Sequence, residues 1–131
     1  MNTIEKLLKM DKGQITLPSK EITIQLAKLK NEEITFVCKA IDPERMSEIQ
    51  EEAIEIVEGG AKFVNSFKVK TLMIIESCDE IFKNKDLQKH FNSPTPVELL
   101  RTIMLNGEID DLYAAVQDVN GYEKDLKKKK N

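Results

Sequence analysis

The sequence predicts an α+β fold, mostly α-helical: an N-terminal helix and a β-hairpin followed by three to four packed helices. Three observations predict it. Two early segments alternate apolar and polar residues with period two, the signature of half-buried strands. From Asp42 onward the apolar period switches to helical spacing. The chain has 131 residues, 40% hydrophobic and 33% charged, which suits one globular domain with its own core. The domain is expected to span residues 1–121, with 122–131 as a flexible Lys-rich tail.

Asn2 and Glu5 stand at capping-box spacing, and Ile4, Leu7 and Leu8 follow at helical intervals. Asp11, Lys12 and Gly13 end this first helix, and Pro18-Ser19 keep the chain irregular. In 21–26, Ile22, Ile24 and Leu26 share one face and Glu21, Thr23 and Gln25 the other. In 33–41, Ile34, Phe36, Cys38 and Ala40 alternate with Thr35, Val37 and Lys39. An antiparallel hairpin is the simplest pairing of the two.

Asp42 is a suitable cap and Pro43 a suitable first residue for the next helix. Met46, Ile49, Ala53 and Ile56 form its stripe, the Glu residues crowd its other faces, and Gly59-Gly60 stop it. A further helix begins at about Ala61 or Ser66 and runs to Asp79, carrying Val69, Leu72, Met73, Ile74 and Ile75. A Lys-rich loop with a short helical turn near 86–90 follows. Thr95-Pro96-Val97-Glu98 then opens a helix with a Thr cap, Pro at the first position and Glu three residues after the cap. Asn106-Gly107 is expected to close it. The last helix places Ile109, Leu112, Tyr113, Val116 and Val119 on one stripe and stops at Gly121.

Composition narrows the function classes. The net charge is −3, a poor basis for sequence-independent nucleic-acid binding. Five Lys against Glu123 and Asp125 give residues 121–131 a local +3, and this run reads first as a solubilising tail. Five Phe, two Tyr and no Trp leave few stacking platforms and few interface anchors. No apolar run approaches the roughly 20 residues of a membrane span. Charged residues interrupt the first ten positions, so no secretory signal is expected and a cytoplasmic location is.

No chemistry-bearing pattern stands out. Cys38 and Cys78 are forty residues apart, His90 is the lone His, and no CxxC pair exists. Zinc-ligand spacing is therefore absent, and both Cys read as small apolar residues. Five glycines form neither GxGxxG nor a P-loop. Glu108, Asp110 and Asp111 fit a helix start without catalysis. The expectation is a binding or assembly protein with no catalytic residues, no metal and no cofactor.

The order of the motifs resembles that of the XkdN-like phage tail assembly chaperones of phages and prophages of Gram-positive bacteria. The resemblance runs over nearly the whole chain. Ile4-Glu5-Lys6-Leu7-Leu8 precedes Leu17-Pro18-Ser19-Lys20-Glu21-Ile22, and the hairpin leads into Ala40-Ile41-Asp42-Pro43-Glu44-Arg45. In the last third, Asp86-Leu87 and Phe91 precede Thr95-Pro96-Val97-Glu98-Leu99-Leu100. Leu105-Asn106-Gly107-Glu108-Ile109, Leu112 and Asn120-Gly121-Tyr122 follow, and the chain closes in Lys130-Asn131. The family often has Pro-Gly-Glu-Ile where this chain has Asn106-Gly107-Glu108-Ile109.

The resemblance implies a cytoplasmic assembly factor that coats the tape measure protein, keeps it soluble, and is absent from the mature virion. The tail tube protein and a second copy of the chain are further candidate partners. Alternatives are a structural tail component retained in the particle and a small DNA-associated phage regulator. Ile109, Leu112, Tyr113 and Val116 are the candidate client-binding stripe, with packing on the domain's own core as the competing reading. Such chaperones are commonly made in two lengths by ribosomal frameshifting, so an A-rich slippery tract under Lys127 to Asn131 is a further expectation.

Overall fold

A computed structural model describes residues 2–122. The Lys-rich run lies in 123–131, outside the described residues. The fold is α+β and mostly helical. Helix α1 is Thr3–Leu8, followed by a 3-10 turn, Lys12–Gln14. Strands β1 (Ser19–Leu26) and β2 (Glu32–Lys39) form an antiparallel hairpin in which Ile22 faces Phe36 and Ile24 faces Ile34. The link between them needs two successive left-handed residues, Lys30 and Asn31. Asn tolerates that conformation better than most residues. Ile24, Leu26, Phe36 and Cys38 turn inward, as the alternation predicts.

Helix α2 is Pro43–Glu52. Asp42 caps it, accepting a hydrogen bond from the Glu44 backbone N–H. Here the structure departs from the expected helix of 42–58. Beyond Ala53, Ile54–Ile56 form β3, which pairs antiparallel with β4, Lys62–Val64. Gly59 and Gly60 do not end a helix; both have positive φ and make the hairpin turn. The reason is local. Ile54, Ile56 and Val57 are β-branched, and two consecutive left-handed positions cost Gly little. Ile56 alone continues the helical stripe of Met46, Ile49 and Ala53, whereas Ile54 and Ile56 together alternate as a strand.

Helix α3, Ser66–Ser77, is the centre of the fold. It buries Thr71, Met73, Ile74, Ile75 and Ser77, and packs against α2, β2, the short helix α4 (Asp79–Phe82) and two later helices, while a second short helix, α5 (Lys85–His90), packs on α4. Those later helices are α6 (Pro96–Ile103) and α7 (Asn106–Val119). The cap at Thr95 forms as predicted: its Oγ1 accepts from the Glu98 backbone N–H at 3.2 Å. Asn106-Gly107, expected to close α6, instead open α7. Glu108 explains why. Its carboxylate accepts the N–H of Leu105 at 2.8 Å and of Ala27 at 3.1 Å, so one side chain caps α7 and holds the β1–β2 link.

The apolar core runs from Phe36 and Cys38 of the hairpin through Ile74 and Phe82 to Leu99, Leu112 and Val116. Its polar members are satisfied. Ser77 Oγ donates to the Lys39 carbonyl at 2.8 Å, and Gln88 Nε2 donates to that of Phe82 at 2.8 Å. Among the described residues no buried side-chain N or O atom lacks a partner, so the cost of an orphaned polar group is avoided.

Candidate client-binding surface

The stripe expected on the last helix lies mostly inside. Ile109, Leu112 and Val116 are buried on the face of α7 that packs against α3 and the β1–β2 hairpin. Tyr113 is half-buried. Lys70 Nζ lies 5.7 Å from its ring centroid and also pairs with Asp110. Burial pushes the Tyr113 phenol up from its ordinary value, and the nearby Lys70 charge offsets part of the shift.

Among the described residues, exposed large apolar side chains cluster in two other places, with Leu105 and Tyr122 exposed outside them. The first is the N-terminal arm. Ile4, Leu7, Leu8, Met10, Ile15 and Leu17 are each more than half exposed. No residue of α1 is buried, and none of the principal contacts between elements involves α1. The arm nonetheless has defined local structure. Asn2 Oδ1 accepts from the Glu5 N–H at 2.8 Å, and Asp11 and Gln14 cap the 3-10 turn reciprocally. Leu7, Leu8, Met10 and Ile15, with Asp11, Lys12 and Gln14, line a groove of about 500 Å³. Apolar residues at helical spacing signalled the helix; whether anything covers its face was not readable from that spacing.

The second place is the β3–β4 hairpin. Ile54, Ile56, Val57, Phe63 and Val64, with Phe67 at the start of α3, are exposed. The hairpin's principal contact is between its own two strands. Monomeric proteins seldom leave contiguous apolar patches open unless they bind something.

Among the described residues no group of three or more His, Cys, Asp or Glu could hold a metal ion. His90 packs edge-on against Phe91. The Cys38 and Cys78 sulfurs are 3.6 Å apart and buried as free thiols. The Glu-rich face of α2 is partly tied down: Arg45 pairs with Glu48, Glu52 and, across to α3, Glu76. Among the described residues no helix is long and apolar enough to cross a membrane.

The family model of the phage XkdN-like tail assembly chaperone proteins matches residues 4–131. The chain belongs to the XkdN-like phage tail assembly chaperone family. The crystal structure of the protein yqbn is similar in fold, with a TM-score of 0.60 at 22% identity over 86% of this chain and 93% of that one. No match is found among curated proteins. Among its described residues, this tail assembly chaperone combines a core whose buried side-chain polar atoms are paired with apolar surface held outside that core.

Proposed function

We propose that this tail assembly chaperone binds apolar helical segments of the tape measure protein and keeps that protein soluble until the tail tube is built around it. The observation that carries the reading is the N-terminal arm, which holds six large apolar side chains away from the core on a short, capped scaffold. An amphipathic helix and its groove suit a helical client. Leu and Met suit a client of varied sequence, since both are unbranched at Cβ and Met adapts its shape. The aromatic shortage of the arm, which has no Phe, Tyr or Trp before Phe36, favours a grip that releases. Host cytoplasm is the location that fits this role, and no step of it requires catalysis.

The experiment is co-purification followed by analysis of finished particles. The tape measure protein should co-purify with the chain from cells making both, and mass spectrometry should find no chain in purified particles. Its presence in the particles at stoichiometric amounts would establish the structural-component reading instead.

A further inference from the structure

We propose that the outer edge of β4 pairs with the same edge of a second copy of this chain, making an antiparallel dimer through the β3–β4 hairpins. The hydrogen-bond pattern fixes which groups face outward. Val57 N–H donates to the Ala61 carbonyl and Asn65 N–H to the Ala53 carbonyl, both at 2.8 Å. Hydrogen-bonded pairs alternate along an antiparallel ladder, so Phe63 directs its backbone groups toward Glu55. Lys62 and Val64 direct theirs away from β3. Among the described residues nothing takes the outward N–H of Lys62 or Val64, and all three residues of β4 are exposed.

An open strand edge is a template for another strand. The pattern of β4 favours its own copy as that strand. In an antiparallel pair centred on Phe63, Lys62 of each copy lies opposite Val64 of the second copy, and Phe63 lies opposite Phe63 of the second copy. No like charges meet. The pair at Phe63 is a non-hydrogen-bonded one, where Cα atoms approach to about 4.5 Å and side chains touch. The corresponding self-pairing of β3 would set Glu55 against Glu55, which is unfavourable. Charge thus selects the β4 edge.

The dimer also completes a surface. Ile54 and Val64 are register partners, as are Ile56 and Lys62, so these four side chains share one face of the hairpin. Joining two copies makes one antiparallel sheet with Ile54, Ile56 and Val64 of both on the same side. The contact is isologous and closes at two chains. It does not depend on the client.

Sedimentation velocity of the full chain over a range of concentrations tests this. The expected result is a monomer that becomes a dimer as concentration rises. Phe63→Glu sets like charges against each other, and Val64→Pro removes an outward N–H without touching the β3 ladder. Each should weaken the dimer about tenfold or more, with the far-UV circular dichroism unchanged. Phe63→Cys guards against a variant that merely misfolds: it should give a disulfide-linked dimer on mild oxidation, and Glu58→Cys, beyond the strand, should not. A chain that stays monomeric at every concentration overturns the proposal. So does a dimer insensitive to both substitutions, or a folded Phe63→Cys variant that fails to cross-link. Monomeric chains whose hairpin variants lose the tape measure protein would assign this edge to the client instead.

Discussion

The sulfur atoms of Cys38 and Cys78 lie 3.6 Å apart in the buried seam where β2 meets α3. The Cys78 thiol donates to Cys38, which with burial pushes Cys78 up from its ordinary value, while the same bond holds Cys38 down. Only a thiolate reacts quickly, and only if it is reached. Both thiols should therefore resist iodoacetamide at neutral pH in the folded protein and react once urea unfolds it. Alkylation of the native protein at the rate of a free thiol would contradict the packing. Cys78→Ser, a polar hydroxyl in the same seam, should cost about 1–3 kcal/mol in urea denaturation.

Asn120 joins the end of α7 to the start of α2. Its Oδ1 accepts the Ile41 backbone N–H at 2.6 Å and its Nδ2 donates to the Val116 carbonyl at 2.7 Å. Asn120→Ala leaves the part-buried Ile41 N–H without its acceptor, so the variant should lose about 1–3 kcal/mol of stability.

Tyr113 supplies a pH signature. Its phenol is raised in the folded state, so folding favours the neutral form. The stability this contributes is intact below the ordinary phenol value, about 10, and is lost as pH climbs through the higher folded value. The Tm of the protein should fall above pH 10 more steeply than that of Tyr113→Phe. Parallel curves for the two would contradict the shift.

Core and arm should separate cleanly under mutation. Leu112 is fully buried and Leu8 is 79% exposed. Leu112→Ala should cost about 2–5 kcal/mol. Leu8→Ala should stay within about 0.5 kcal/mol of the parent, and its effect should appear in client binding. Equal destabilisation by the two would mean the arm is packed in solution.

The parts of the fold legible in the sequence were those with strong local chemistry. The β1–β2 alternation, the Asp42-Pro43 start and the Thr95-Pro96 cap each specify one conformation through side chains acting within a few residues. Ile54-Glu55-Ile56 failed that test. Ile56 continues the α2 stripe at helical spacing from Ala53, and the glycine pair serves a helix stop and a hairpin turn alike. Asn106-Gly107 is ambiguous for a related reason: the long-range hydrogen bond that the Ala27 N–H donates to Glu108 helps set the start of α7. The surface was the least legible part. The stripe of α7 and the stripe of α1 look alike as sequence, yet Leu112 is enclosed by α3 and the hairpin while Leu7 meets solvent. Exposure depends on which elements come to lie over a stripe, and spacing does not encode that.

On the proposed function, apolar side chains of the arm hold the tape measure protein in solution. The most direct measurement is the soluble fraction of that protein when it is co-expressed with this chain or with a Leu7→Glu/Leu8→Glu variant. The parent chain should keep the tape measure protein soluble, and the double variant, with unchanged circular dichroism and Tm, should let it aggregate. A folded double variant that protects the tape measure protein as well as the parent does would contradict the proposed function.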